Sequence, residues 1–233
     1  MAQAVRNTAT DHRNQPAYPL AEAARYLKLP PATLRSWVVG RDYDTAKGSR
    51  KFKALVMPPA VHPPVLSFWN LIEAHVLRAL RTDHGISVKA VRDALQCAES
   101  ELHIDRLLLS RELSASAGWL FLDRYGDLIE LSASGQIAMR KIFEAHLDRV
   151  VWDDAKFPIR LYPVVSAEPL APDRPIAIDP QIAFGRPILV SRGITTATIT
   201  DRIDAGETVP ALAADYDLTP KEIEEAILYE RVA

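Results

Sequence analysis

The stretch "YPLAEAARYLKLPPATLRSWVVGR", residues 18–41, decides the reading of the N-terminal half. Leu20, Ala23, Ala24 and Leu27 recur at helical spacing, and "KLP" interrupts the pattern. Pro31 then stands at the first position of a second helix, where its missing N–H does no harm. Leu34, Trp37 and Val38 fall on the side that packs back on the first helix, which leaves Thr33, Arg35 and Ser36 facing outward. A short helix set steeply against another, with hydroxyls and an arginine in its early turns, has the shape that enters a major groove. Arginine pairs with guanine edges, and the two hydroxyls reach bases or phosphates.

The next stretch, "GRDYDTAKGSRKFKAL" (residues 40–55), carries Arg41, Lys47, Arg50, Lys51 and Lys53, with Gly48 and Ser49 where a hairpin is expected to turn. Such a wing lies along the sugar-phosphate backbone. Each phosphate it neutralises releases counterion, with a salt slope of roughly −0.9 per contact on duplex DNA. The local charge agrees: residues 16–60 hold 8 basic against 3 acidic side chains, in a chain of net charge −2. Residues 1–165 hold 22 basic against 18 acidic, and residues 166–233 hold 6 against 12. A basic head and an acidic tail imply two different partners.

Beyond the wing, Ser67 caps a helix striped by Phe68, Leu71, Ile72, Val76, Ala79 and Leu80, and after Gly85 Ser87 caps a second that buries Val88, Val91 and Leu95. "LLLSREL" (107–113) and "WLFLDRYGDLIEL" (119–131) read as strands, the latter a hairpin turning at Tyr125, Gly126 and Asp127. Ser134 opens a helix burying Ile137, Ile142, Phe143 and Leu147, ahead of strands in "RVVW" and "FPIRLYPVV". Residues 1–15 read as a disordered tail, 16–165 as the DNA-binding domain with its α+β extension, and the proline-rich "SAEPLAPDRP" (166–175) as a linker. Residues 176–233 are then a small helical domain.

That domain opens with "AFGRPILVSRGITT", residues 183–196, whose glycines and Pro187 read as turn, short strand, turn. A phosphate loop, a strand pairing two chains, and a hook for another protein are the alternatives. The segment lacks the Gly-Lys-Ser/Thr ending of a phosphate loop. Three helices follow: one from Thr196 or Thr198 to Gly206 with Ile199 and Ile203 inward, and one from Thr208 with Leu212 and Tyr216 inward. The last opens on the capping box of Thr219 and Glu222, with Pro220 in its first turn and Ile223, Ala226 and Ile227 inward. Roughly sixty residues bury little surface alone, so two antiparallel copies of "RPILVS" pairing across a symmetry axis are expected to support the domain.

Two resemblances rest on these residues. The "EAA…L…TLRSW" pair, the basic wing and a further helix pair resemble the MerR-like winged helix over about residues 18–97. "IDPQIAFGRPILV…AGE…LAADYDLTPKEIEEAILYE", about residues 176–230, resembles the small domain of unknown function found in VapB-type antitoxins of toxin–antitoxin pairs. The combined resemblance implies an antitoxin that neutralises a PIN-like ribonuclease toxin and represses its own operon as a homodimer or higher homo-oligomer on operator double-stranded DNA. The toxin or dimer arm would be Gly185, Arg186, Pro187, Ile188, Leu189 and Arg192, with Arg186 or Arg192 entering the toxin's metal-binding carboxylates. Many members follow Gly-Arg-Pro with Gly-Thr-Arg, where this chain has Ser191, Arg192 and Gly193.

An enzyme is not expected, nor a metal or cofactor: the six histidines do not cluster, none pairs at helical metal-binding spacing, and Cys97 is the only cysteine. Asp153 and Asp154 read as a solvated turn. With no apolar run long enough for a bilayer and no signal core, the expected location is the cytoplasm. A stand-alone, ligand-responsive MerR-like regulator is the alternative function. The expected fold is α+β and mainly helical: a winged helix-turn-helix, a strand-rich extension, and three helices behind a short β-arm.

Overall fold

A computed structural model describes residues 11–45, 48–52, 54–82, 91–93, 100, 106–109, 144–163 and 174–231. The fold is α+β, as expected. Helices α1 (Leu20–Tyr26) and α2 (Pro31–Val38) form the helix-turn-helix, with Pro31 in the first turn of α2. Lys28 takes a left-handed φ of 53° between them. Ala23, Ala24, Leu27, Leu34, Trp37 and Val38 are all buried in one core.

Strand β1 (Tyr18–Pro19) pairs with β5 (Pro64–Leu66), which pairs with β4 (Ala60–Val61). The wing is β2 (Arg41–Thr45) and β3 (Gly48–Phe52), in register from Arg41↔Phe52 to Thr45↔Gly48. That register puts Gly48 and Ser49 in the strand, paired with Thr45 and Asp44, and not in the turn expected there. Helix α3 (Phe68–Thr82) begins at the expected cap: Ser67 Oγ accepts from Asn70 N at 3.2 Å, and Asn70 Oδ1 accepts from Ser67 N at 3.0 Å. Its stripe of Phe68, Leu71, Ile72, Val76 and Ala79 is buried.

Two expectations fail here for identifiable reasons. Leu107–Leu109, read as the start of a strand, is a 3-10 turn. Arg106 adopts a φ of 56° and receives Leu109 N on its carbonyl at 2.9 Å, while its guanidinium grips buried Glu73 on α3 through both carboxylate oxygens, at 2.8 and 3.0 Å. That bidentate pair pulls the segment onto α3 and places Leu108 and Leu109 in the core. Residues 11–15, read as part of a disordered tail, are fixed: Asp11 caps a 3-10 turn at His12–Asn14, and Arg13 bridges Asp11 and Asp153, the latter at 2.7 Å. The hairpin at 119–131, its turn at 125–127, Ser134, Ile137, Ile142, Phe143, Val88, Leu95 and Cys97 lie outside the described residues. Helical residues 144–147 end the expected helix, with Leu147 buried.

The strands expected at "RVVW" and "FPIRLYPVV" are β6 (Val150–Trp152) and β7 (Pro158–Leu161). They join β8 (Ile176–Ile178), β9 (Pro187–Leu189) and β10 (Ile194–Thr195) in one antiparallel sheet of order β10-β9-β8-β7-β6. The pairing Leu161↔Ile178 carries this sheet across residues 162–175. Ile178 belongs to the core of the head, and Ile176 to a second core with Leu189, Ile199, Leu212, Ile223, Ala226 and Tyr229. One short strand therefore feeds both.

Helices α4 (Thr196–Asp204), α5 (Val209–Tyr216) and α6 (Pro220–Arg231) follow the expected pattern. Thr195 caps α4 and Thr208 caps α5. The capping box of α6 is closed: Thr219 N donates to Glu222 Oε2 at 2.8 Å, and Glu222 N to Thr219 Oγ1 at 3.2 Å. Helix α6 also docks on α1. Tyr229 Oη donates to the Tyr26 carbonyl at 2.8 Å, Arg25 pairs with Glu230, and Lys28 donates to the Tyr229 carbonyl with Nζ 3.9 Å from that ring's centroid.

Candidate DNA interface and partner arm

Helix α2 presents its polar side as the sequence implies. Arg35 is exposed, Thr33 and Ser36 half-exposed, and Leu34, Trp37 and Val38 point into the core. Ser36 Oγ donates back to the Thr33 carbonyl at 2.7 Å, so its hydroxyl offers lone pairs outward and keeps its proton for the helix. The exposed Arg35 guanidinium is the charged donor of this face.

The wing is fixed to the same helix from both ends. Arg41 starts β2 directly after α2, and on the return Leu55 N and Val56 N both donate to the Trp37 carbonyl, at 2.7 and 3.1 Å. Arg41, Arg50 and Lys51 are in the hairpin, with Asp42↔Lys51 and Tyr43↔Arg50 as register partners. Lys47 and Lys53 lie outside the described residues. A basic hairpin held against an outward helix has the parts of a duplex reader: a helix for base edges and a ribbon for phosphates.

The arm is arranged differently from the expectation. Strand β9 is flanked by β8 (Ile176↔Leu189, Ala177↔Ile188, Ile178↔Pro187) and by β10 (Ile194↔Leu189, Thr195↔Ile188). Both edges of Ile188 and Leu189 are therefore occupied within the chain, Pro187 is paired with Ile178, and all three are buried. Two copies of "RPILVS" have no free edge to share, and the correction has a simple cause: intrachain strands satisfy this backbone first. Gly185 is buried under Tyr18, its φ is +73°, and a Cβ there would stand 2.0 Å from Tyr18 Oη. No other residue fits that position.

The two arginines have different surroundings. Arg192 is tied down, its Nε donating to the Asp217 carbonyl at 3.1 Å and its guanidinium pairing with the Asp217 carboxylate. Arg186 is exposed and has no carboxylate or side-chain hydrogen-bond partner among the described residues. Beside it, Phe184 is 93% exposed with a φ of 56°. The sequence gives no sign of that exposure, because "AFGRP" reads equally well with the ring inward. Tyr229 was missed for a weaker reason: it extends the Ile223–Ala226 stripe by one helical step.

Among the described residues no group of three or more His, Cys, Asp or Glu can hold a metal, and no helix is long and apolar enough to cross a membrane. His75 is a core histidine. It is 1% exposed, its Nε2 lies 3.1 Å from the His146 carbonyl, and burial drives its pKa well below the usual 6.5. Asp153 is no solvated turn, since it accepts from Arg13 and from Phe157 N at 2.8 Å.

Comparison with known proteins agrees with this geometry. Residues 16–95 match the family described as "Putative DNA-binding HTH domain", and residues 176–229 match "Protein of unknown function (DUF433)". The crystal structure of Rv2018 from Mycobacterium tuberculosis shares the fold, with a TM-score of 0.64 at 22% identity, covering 93% of this chain and all of that one. Uncharacterized protein Rv2308 of the same organism is 23% identical over 96% of this chain and 94% of its own length. "Putative antitoxin VapB45", also from M. tuberculosis, is 30% identical over 91% of this chain and 92% of its own. With that identity spanning both the helix-turn-helix and the tail, the chain belongs to the VapB-type antitoxins that carry an N-terminal helix-turn-helix.

Proposed function

We propose that this antitoxin neutralises a PIN-like ribonuclease toxin by direct binding and represses its own operon, as a cytoplasmic homodimer, through operator DNA. The observation that carries the reading is the union, in one chain similar throughout to an antitoxin, of an outward Arg35 on α2 with a basic wing stitched to the same helix. The arrangement supports a MerR-like mode of docking. Helix α2 enters the major groove, the wing follows the phosphates, and a dimer reads two half-sites about one helical turn apart. Binding at the tail then adjusts operator occupancy by linkage.

For neutralisation, the surroundings favour Arg186 over Arg192. Arg192 already has Asp217, whereas the Arg186 guanidinium has no carboxylate among the described residues and can enter a carboxylate-lined metal site through charge-assisted hydrogen bonds. No catalytic role for this chain is part of the proposal. The domain division expected from sequence is kept as a proposal too: two hydrophobic clusters support it, while the shared sheet ties the parts together.

The test is co-expression with the product of the adjacent gene. The proposal expects a co-purifying complex, growth rescue lost in Arg186→Ala, and a salt-sensitive shift of the promoter fragment. A chain that ignores both its promoter and its neighbour's product refutes it, and intact rescue by Arg186→Ala removes that residue's role.

A further inference from the structure

Residues 174–231 carry six basic side chains. Arg192 pairs with Asp217, Arg202 with Glu207 and Asp215, Lys221 with Glu225, Arg231 with Asp204, and Arg174 donates to the Asp148 carbonyl. Only Arg186 has no such partner among the described residues. The same residues hold ten acidic side chains, so an acidic surface approaching the tail is repelled except where an uncommitted cation stands.

Two residues away is the most exposed large apolar side chain among the described residues. Phe184 is 93% exposed, against 72% for Met57 and 54% for Val61. Its display is built in. Ala183 and Phe184 both take left-handed backbone angles, φ 48° and 56°, inside the 3-10 turn Ala183–Gly185. Such angles are unfavourable for residues with a Cβ, and an aromatic ring in water is unfavourable as well. The turn is held by Gly185 N donating to the Ile182 carbonyl at 2.9 Å, Arg186 N donating to the Ala183 carbonyl at 3.2 Å, and Gly185 seated under Tyr18. The backbone that carries the ring and the guanidinium is thus fixed before binding, and aromatic and arginine anchors dominate interface energies.

We infer that Phe184 and Arg186 form one two-point anchor for the antitoxin's protein partner, Phe184 filling an apolar pocket beside the carboxylates that receive Arg186. This deepens the neutralisation reading and rests on it. It adds a second contact and assigns the partner a chemistry: an acidic cleft with an apolar shelf within one turn's reach. Arg186 supplies charge selection, and Phe184 supplies the apolar contact that an arginine alone lacks.

The experiment uses the full chain and the purified product of its adjacent gene, with affinity measured by calorimetry for wild type, Phe184→Ala, Phe184→Leu and Arg186→Ala. Removing a central aromatic anchor is expected to weaken binding by about 30-fold or more, with Phe184→Leu recovering most of the loss. Melting temperatures should match wild type within about 2 °C, because an exposed ring supports no core. Salt should weaken the wild type and Phe184→Ala alike and Arg186→Ala less. Phe184→Ala binding within about threefold of wild type overturns the anchor and leaves the antitoxin reading standing. So does a variant that changes only self-association, since the ring then serves a second copy of this chain. A wild-type chain that does not bind its neighbour refutes the function and the anchor together.

Discussion

Tyr229→Phe tests the docking of α6 on α1 by deleting one oxygen atom. The hydroxyl is buried with its ring and donates to the Tyr26 carbonyl at 2.8 Å. That carbonyl has no helical alternative, because the residue four places on is Pro30, which has no N–H. The substitution therefore loses a hydrogen bond and strands a buried acceptor, which costs about 1–3 kcal/mol. For a chain of this size each kcal/mol lowers the melting temperature by about 2–4 °C, so a loss near 2 kcal/mol gives a drop of about 4–8 °C. The ring itself is retained, so cavity formation contributes nothing. Calorimetry and urea unfolding should agree on the loss, with the urea slope unchanged because the same surface is exposed on unfolding. A melting temperature within about 1 °C of wild type would show that water or a shifted helix satisfies the carbonyl, and that the joint between head and tail is looser than described.

Gly185→Ala should destabilise by more than Gly193→Ala: both have positive φ, +73° and +69°, but the added Cβ meets Tyr18 Oη at 2.0 Å in the first and only Ile182 Cγ2 at 3.8 Å in the second. The left-handed angle alone costs alanine about 1–2 kcal/mol, so equal losses in thermal unfolding would refute the steric account. Acid should expose His75. It is neutral when folded, with His146, Arg78 and Arg149 adding to the effect of burial, and it protonates near 6.5 when unfolded. Below that pH the unfolded state binds the extra proton, so stability falls by up to about 1.4 kcal/mol per pH unit, and His75→Gln should flatten the slope of urea midpoints between pH 7.5 and 5 by one proton. On DNA, Arg35→Ala should lose about 10- to 100-fold on the cognate site and little on random duplex, whereas Arg50→Ala should weaken both and reduce the salt slope by about 1. Arg50 is the better wing residue for this test, because its register partner is Tyr43 while that of Lys51 is Asp42. Equal losses for Arg35→Ala on both duplexes would contradict base reading.

How legible each part was follows from the range of its interactions. Helix ends were readable because caps are local: Ser67, Thr208, Thr219 with Glu222, and Pro31 stand where the sequence puts them. Helix faces were readable because a period of 3.6 sorts Leu34, Trp37 and Val38 from Arg35. The 3-10 turn at Leu107–Leu109 was not, since an apolar triplet carries no period and its shape is imposed by Arg106 gripping Glu73, thirty-three residues away. The same holds for Arg13, which is fixed by Asp153, and for Arg186 and Arg192, which look interchangeable in sequence until Asp217 takes one of them. Phe184 is the extreme case: its exposure comes from two left-handed residues, and no local residue preference predicts a left-handed phenylalanine.

The small tail needs support, and the structure provides it within the chain. Sixty residues bury too little surface to stand securely, and a partner copy was the expected remedy. Instead β6 and β7 of the head continue the tail's sheet, Leu161 pairing with Ile178, while α6 closes on α1 through Tyr229, Arg25 and Lys28. This exchange has a mechanical consequence. Gly185 of the arm rests under Tyr18, Tyr18 meets Tyr26 edge-on with ring centroids 6.3 Å apart, and Tyr26 ends the helix against which α2 is set. The projecting turn is thus joined to the helix-turn-helix through Tyr18 and Tyr26, and Tyr229 of the second core reaches the Tyr26 carbonyl. A displacement of the turn therefore bears first on Tyr18 and Tyr26, two side chains buried in the core of the head.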